Sequence, residues 1–215
     1  MRYNSSHWEL LNRKRERALE IIESLNLLQF DPLVYGSTAR GDVHQRSDID
    51  VVLLNPNLLY LDQISGHHRY IVQATPRSVP KAYISLDPDE LEVLSFPLAP
   101  LPPHEYEFFL FGGVATFRDL KDGVRRPGVN KALILLVPNQ EGHIELPLKG
   151  NEEYAVKLTG ASMSTIIYRE NLLTRRKELG HTGVFLKYDL QEESFEEAFV
   201  ALRKRNKFFR RALDA

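Results

Sequence analysis

Asp48 and Asp50 are separated by a single residue at the start of an apolar run that continues to Leu54. Residues i and i+2 of a β-strand project from the same face, so the two carboxylates are expected to lie side by side. Two like charges this close repel each other unless a cation lies between them. Mg²⁺ binds one or two carboxylates together with phosphate oxygens and water. The pair therefore predicts a site for Mg²⁺, or for Mn²⁺, beside a phosphate group.

A short turn upstream supplies residue types that bind phosphate. Gly36 and Ser37 directly follow the apolar run 33–35. A strand that ends in Gly-Ser and turns into a helix offers free backbone N–H groups and a hydroxyl to an anion, and glycine lets the backbone approach closely. Arg40 comes one helical turn later and adds a permanent positive charge on roughly the same side. We therefore predict that Gly36, Ser37 and Arg40 bind phosphate, with Arg46 as a further candidate cation.

One other kind of phosphate loop has the same glycine spacing. Gly36 and Gly41 match the GxxxxG part of a P-loop, but Asp42 and Val43 stand where that loop has Lys followed by Ser or Thr. The chain therefore lacks both the phosphate-binding lysine and the metal-binding hydroxyl of a P-loop ATPase. That class of protein is excluded.

Residues 36–50, GSTARGDVHQRSDID, resemble the signature of the DNA polymerase β-like nucleotidyltransferase superfamily, especially its minimal archaeal and bacterial members. The resemblance is dense over residues 34–54 and weak elsewhere, and it is carried by Gly36-Ser37, Arg40-Gly41-Asp42, Ser47-Asp48 and Asp50. It implies a palm-like α+β domain, two divalent metal ions with Asp48 and Asp50 as ligands, and a nucleotide bound by Gly36, Ser37, Arg40 and Ser47. Ser37 would contact the β- and γ-phosphates. The implied reaction moves the nucleotidyl group of a nucleoside triphosphate to an acceptor and releases pyrophosphate.

That superfamily also has a third carboxylate on a later strand, which helps to bind the catalytic metal ion. Glu92 is the predicted candidate, as a catalytic residue and metal ligand, because it lies in the strand-like run 91–96. A carboxylate beside Asp50 favours an enzyme. An apolar residue there favours a nucleic-acid-binding regulator whose nucleotide site is idle or senses NTP. The alternatives to Glu92 lie in the preceding turn and are Asp87, Asp89 and Glu90.

The elements around these residues predict an α+β fold with two domains. Helical spacing of apolar residues marks a helix at 7–28, and the proline-rich run 97–103 predicts a linker before a short aromatic helix. We predict a nucleotidyltransferase domain over residues 1–111 and a C-terminal acceptor-binding or regulatory α/β domain over residues 112–215. The strands of the first domain are predicted at 33–35, 49–54, 70–74, 82–86 and 91–96. The second domain is predicted to contain a hairpin (132–137 and 143–148), two helices around Gly160, a strand at 184–188 and one final helix.

Two features of the C-terminal half suggest a nucleic-acid acceptor. The helices around Gly160 resemble a helix-turn-helix, although two packed helices joined at a glycine also occur without nucleic acid. The second helix would offer Ser164, Thr165, Tyr168 and Arg169 to a groove. Basic residues also alternate with aromatics in the final helix, as in RNA- or DNA-binding surfaces, but cations are equally favourable near the end of a packed helix. The candidate cations are Arg175, Arg176, Lys177, Arg203, Lys204, Arg205, Lys207, Arg210 and Arg211. A protein acceptor is a further alternative.

Composition limits the class of protein only loosely. The formal net charge is −1, so contact with a polyanion requires a local basic surface. No apolar run is long enough to span a bilayer, and the N-terminus lacks the apolar core of a signal peptide, which predicts a cytoplasmic protein with no membrane partner. The absence of cysteine excludes disulfides, thiolate catalysis and cysteine-based zinc sites.

Overall fold

A computed structural model describes residues 1–180 and 183–214 and shows a mixed α+β fold. Its main sheet has seven strands in the order β10-β3-β4-β5-β2-β1-β6. Their bounds are β1 Leu33–Tyr35, β2 Ile49–Val52, β3 His68–Gln73, β4 Lys81–Ser85, β5 Glu92–Pro97, β6 Val114–Thr116 and β10 Leu186–Asp189. Neighbouring strands are antiparallel except β2 and β5, which run parallel. The predicted α+β class is confirmed.

A smaller antiparallel sheet and the helices complete the fold. The small sheet consists of β7 Gly128–Val129, β8 Ile134–Asn139 and β9 Gly142–Pro147, of which the last two form the predicted hairpin. The helices are α1 Ser5–Ser24, α2 Ser37–Arg40, α3 Leu58–Leu61, α4 Pro103–Gly112, α5 Phe117–Lys121, α6 Glu152–Thr159, α7 Met163–Leu179, α8 Phe195–Arg205 and α9 Lys207–Leu213. Within the described residues, every helix is too short or too polar to cross a membrane.

Helix α1 covers the buried face of the main sheet. Asn4 caps it by accepting a hydrogen bond from the His7 N–H at 2.9 Å, which satisfies one of the free donors at a helix start. Ala18 and Ile22 are fully buried in the core beneath strands β1, β2 and β5. The helix ends earlier than predicted because Asn26 adopts a left-handed backbone conformation, with φ at 48°.

The sheet does not divide at residue 112. Strands β6 and β10 both follow the predicted boundary, yet they form the two edges of the main sheet. Phe195 and Phe209, from α8 and α9, are fully buried in the same core as α1. The part of the chain that lies between β6 and β10 in sequence forms a second unit, made of β7 to β9, α6 and α7. This unit has a separate core that includes Leu135, Leu148 and Ile166. The chain therefore leaves the main sheet, builds a second unit, and returns.

The predicted helices around Gly160 are present as α6 and α7, but the second does not present all of its predicted groove residues. Gly160 ends α6 with φ at 76°, and Ser162 caps α7. Thr165 is buried and donates to the Glu107 carboxylate, and the Arg169 guanidinium lies 4.5 Å from the centre of the Phe108 ring. Ser164 and Tyr168 are exposed. One face of α7 is thus occupied by α4.

The predicted final helix is two helices. Asn206 breaks it because its side chain accepts hydrogen bonds from the N–H groups of Phe208 and Phe209, at 3.0 and 3.1 Å, and starts α9. The six basic residues of the two helices are exposed, and Arg203 pairs with Asp214 at 3.0 Å.

Candidate functional site

The two aspartates lie where β2 begins, in the middle of the main sheet. Asp50 is in register with Tyr35 of β1 on one side and with Val93 of β5 on the other. Residues in register on neighbouring strands project from the same face. Asp48 lies just before the first residue of β2 and is exposed, whereas Asp50 is half-buried. The charge of Asp48 acts on Asp50, so the two carboxylates are near each other.

The electrostatics of the pair favour a cation. Burial, with a smaller contribution from the neighbouring Asp48, raises the pKa of Asp50 to about 7, while Lys131 acts in the opposite direction. A carboxyl group with this pKa is costly to ionise unless a cation lies beside it. A divalent ion removes that cost, and the hard oxygen donors of the two aspartates suit Mg²⁺ or Mn²⁺. The pair therefore fits one metal ion.

Glu92 does not join the pair. It is in register with Ile49, so it projects from the face opposite to Asp50. There its two carboxylate oxygens accept hydrogen bonds from the Arg17 guanidinium of α1, each at 2.8 Å. The residue beside Asp50 is instead Val93, which is 7% exposed. The predicted placement of Glu92 with the metal-binding pair is wrong because the register differs by one residue.

Of the alternative carboxylates in the preceding turn, Asp89 is exposed, and the other two contact other groups. Asp87 accepts hydrogen bonds from the backbone N–H groups of Asp89 and Glu92, which shapes the turn. Glu90 contacts His68, with 2.6 Å between its Oε1 and the ring Nδ1. In the part of the chain that the structure describes, no group of three or more His, Cys, Asp or Glu side chains is arranged for a metal. The described residues therefore do not fit a second metal ion.

The turn between β1 and β2 contains Gly36 and Ser37, the predicted phosphate-binding residues. Gly36 has φ at 82°, a conformation that glycine adopts readily, and its N–H donates to the carbonyl of Gly113 at 2.9 Å. Ser37 follows at the start of α2, half-buried, and its hydroxyl makes no hydrogen bond to any described residue. The Thr38 hydroxyl donates to the carbonyl of Asp48 at 3.3 Å. This bond ties the start of α2 to the start of β2, so Ser37 and the aspartates are held close together.

Arg40 has a structural role instead of the predicted phosphate contact. It is only 7% exposed, and its guanidinium donates to both carboxylate oxygens of Asp42 at 3.0 Å and to the carbonyl of Gly112. A guanidinium engaged in this way has few donors left for a ligand. Arg40 therefore joins α2 to the end of α4.

Ser47 is likewise part of the scaffold. It is buried, and its hydroxyl oxygen accepts a hydrogen bond from the His44 N–H at 2.9 Å. Its carbonyl accepts one from the Lys14 ammonium of α1 at 2.5 Å. These bonds fix the turn that leads into Asp48, so Ser47 positions the aspartate. Arg46, by contrast, is exposed on the same turn.

The structure adds residues that the sequence did not indicate. Tyr35 stands beside Asp50, and its ring packs on Phe108 and Phe109 of α4, with ring centres 5.4 and 5.5 Å apart. A side chain at Gly112 would lie within 2.3 Å of that ring. The sequence does place Tyr35 next to Gly36, but its contact with α4 depends on the tertiary fold. The tertiary fold also brings Lys14 near Asp48 and Lys131 near Asp50, so that their charges interact. The sequence did not indicate either contact.

Comparison with known proteins gives one match. Residues 15–95 match the family model described as a nucleotidyltransferase domain. The matched region runs from α1 through β5 and includes the turn, both aspartates and Val93. No curated protein and no solved structure matches the chain.

Proposed function

Because residues 15–95 carry a nucleotidyltransferase domain, we propose that the protein binds a nucleoside triphosphate with Mg²⁺ or Mn²⁺ and transfers its nucleotidyl group to an acceptor. The observation that supports this most is the placement of Asp48 and Asp50 beside the Gly36–Ser37 turn. The two aspartates could bind the metal ion of a metal-bound triphosphate, and the nearby Ser37 hydroxyl could donate a hydrogen bond to its phosphate oxygens.

The residues of the site have distinct proposed roles. Asp48 and Asp50 hold the metal ion, which neutralises phosphate charge when bound. The free hydroxyl of Ser37 donates to the β- or γ-phosphate. In the reaction, an acceptor oxygen forms a bond to the α-phosphorus, and the bond from that phosphorus to the oxygen bridging to the β-phosphate breaks. Pyrophosphate leaves, and the acceptor's proton passes to water.

The acceptor is proposed to be RNA or DNA bound through the exposed cations of α7, α8 and α9. Arg175 and Lys177 are exposed near the end of α7, and Arg176 is half-buried. Exposed cations near aromatic rings can contact a nucleic-acid backbone, and the ring of Phe208 lies 5.1 Å from the Lys207 ammonium. A protein acceptor is the alternative, and it predicts label in protein rather than in nucleic acid.

A second candidate function is an NTP-sensing regulator that binds nucleic acid. Val93 favours it, since an apolar side chain stands beside Asp50 where a further carboxylate would be needed for a second metal ion. Both candidates require NTP binding that depends on the aspartates. They differ in whether the bound nucleotide is transferred.

The deciding experiment incubates the protein with each α-³²P-labelled NTP, Mg²⁺ or Mn²⁺, and fractionated RNA, DNA and protein. We expect covalent label in one fraction, loss of that label in Asp50→Asn, and retention of it in Glu92→Gln. The two variants make a matched pair because each removes one carboxylate charge. Asp50 lies on β2 and Glu92 on the neighbouring strand β5, and the two side chains project from opposite faces of the sheet.

Each other outcome has a distinct meaning. Label that is equally strong in Asp50→Asn would refute the proposed site. NTP that binds wild type but is never transferred would support the regulator. A chain that binds none of the four NTPs would exclude both functions.

A further inference from the structure

We propose that Lys131, at the tip of the β7–β8 hairpin, is a triphosphate-binding residue of this site. The inference rests on the proposed function and adds a residue outside the region that matches the nucleotidyltransferase domain. It would make the second unit of the chain a part of the nucleotide site.

A series of close backbone contacts brings the hairpin to the phosphate-binding turn. The N–H of Gly36 donates to the carbonyl of Gly113 at 2.9 Å. Gly113 and Gly112 in turn lie against Gly128, the first residue of β7. A Cβ atom added at Gly128 would lie 2.6 Å from the backbone of both. The chain then runs through Val129 to the hairpin tip, so Lys131 is only three residues beyond this contact.

The tip of the hairpin is held in one shape. The side chain of Asn130 accepts hydrogen bonds from the N–H groups of Ala132 and Ile134 at 2.9 and 3.1 Å. Leu133 has a left-handed backbone with φ at 62°, which is unfavourable for leucine, and its carbonyl accepts from the Leu148 N–H at 2.8 Å. Strained residues of this kind persist where surrounding contacts hold them. The tip therefore holds the backbone of Lys131 in one position.

Charge is the reason to assign Lys131 to the triphosphate. A triphosphate carries several negative charges, and one metal ion on two aspartates does not neutralise them. Arg40 is occupied by Asp42, and Lys14 donates to the carbonyl of Ser47. Lys131 is exposed, and no ion pair links it to any residue that the structure describes. A flexible ammonium with three donors suits phosphate oxygens.

An electrostatic effect agrees with this placement. The ammonium of Lys131 is close enough to the Asp50 carboxylate for the two charges to interact, although Lys131 lies in a turn of the small sheet and Asp50 lies in the main sheet.

The test measures binding by calorimetry, with Mg²⁺ present, of the non-hydrolysable α,β-imido analogue of each NTP and of the corresponding NMP. We expect Lys131→Met to weaken binding of the triphosphate analogue about tenfold, as for loss of one charge-assisted hydrogen bond. Binding of the NMP should change less than about twofold. Lys131→Arg should retain most of the triphosphate affinity because it keeps the charge.

The matched control is Lys157→Met, which removes an exposed lysine from α6 of the same unit and should leave both affinities unchanged. Thermal unfolding of each variant shows that the fold is kept. Equal triphosphate binding by wild type and Lys131→Met would overturn the inference, as would an equal loss for NMP and triphosphate. If wild type binds no analogue, or if Asp50→Asn binds it unchanged, the proposed function fails and this inference with it.

Discussion

Replacing Asp50 by Asn should stabilise the metal-free protein, and the gain should depend on pH. Burial and the charge of Asp48 raise the pKa of the Asp50 carboxyl to about 7, compared with 3.8 for an ordinary aspartate. A carboxyl whose folded-state pKa is raised destabilises the folded protein progressively as pH rises from about 4 to about 7. Asparagine has a similar shape and no charge, so the variant should lack this loss.

The size of the gain follows from the two pKa values. The gap between about 7 and 3.8 corresponds to about 4 kcal/mol when the carboxyl is fully ionised. Asp50 is half-buried, and water near the side chain weakens the repulsion. We therefore expect the free energy of unfolding at pH 8 to rise by about 2 to 4 kcal/mol, and to be nearly the same as in wild type below about pH 4, where both states bind the proton.

Urea unfolding of both proteins between pH 4 and pH 8, with a chelator present, measures this difference. Asp48→Asn is the matched control: Asp48 is exposed, so its replacement removes only the repulsion and should stabilise less. Added Mg²⁺ should then stabilise wild type but not Asp50→Asn. A variant that is less stable than wild type at pH 8, or a gain that is equal at every pH, would refute the electrostatic account of the pair.

Three other substitutions test the roles assigned to neighbouring residues. Arg40→Met should lower the free energy of unfolding by about 3 kcal/mol, because it leaves the half-buried Asp42 carboxylate and the Gly112 carbonyl without their partner. It should change NTP affinity little once the fold is kept; strongly reduced affinity in a stable variant would restore the predicted phosphate role of Arg40. Gly112→Ala should lower the free energy of unfolding by about 1 to 3 kcal/mol, because the added methyl group meets the Tyr35 ring. Thermal or urea unfolding measures this change, and an unchanged stability would show that the Tyr35 ring can move away from the methyl group. Val93→Asp places a carboxylate beside Asp50. The number of Mn²⁺ ions bound together with a triphosphate analogue should therefore rise from one to two, as counted by electron paramagnetic resonance. An unchanged number of bound Mn²⁺ ions would show that a second metal site lacks more than this carboxylate.

The relations in the site that a sequence can predict are those that depend on local geometry. Asp48 and Asp50 are near each other because only one residue separates them, and their charges interact. Ser37 and Gly36 follow directly from a strand that ends in a turn. The choice of Glu92 failed because the register between β2 and β5 is set by the whole sheet, and a displacement of one residue reverses the face.

Long-range contacts account for the remaining differences. Arg40 has the residue type and spacing of a phosphate ligand, but its partner carbonyl belongs to Gly112, which only the tertiary fold brings near. Strands β6 and β10 are short, and the strands that they pair with, β1 and β3, lie far away in the sequence. The sequence therefore did not indicate that both belong to the main sheet, and the boundary predicted from the proline-rich linker divides one continuous sheet. The helix break at Asn206 had a local signal, because asparagine is a preferred cap, but the surrounding helical pattern outweighed it.

The return of the chain to the main sheet affects how the protein folds during synthesis. His68 of β3 and Asp189 of β10 contact each other although 121 positions separate them in the chain. Until β10 has left the ribosome, β3 is an open edge whose backbone N–H and C=O groups are available to any other strand. Domains generally fold from the N-terminal side as they emerge. Here, however, the aspartates would reach their final surroundings while β3 is still an unpaired edge of the sheet. A nascent chain that stalls before β10 would therefore be prone to aggregate, even with its proposed nucleotide site formed.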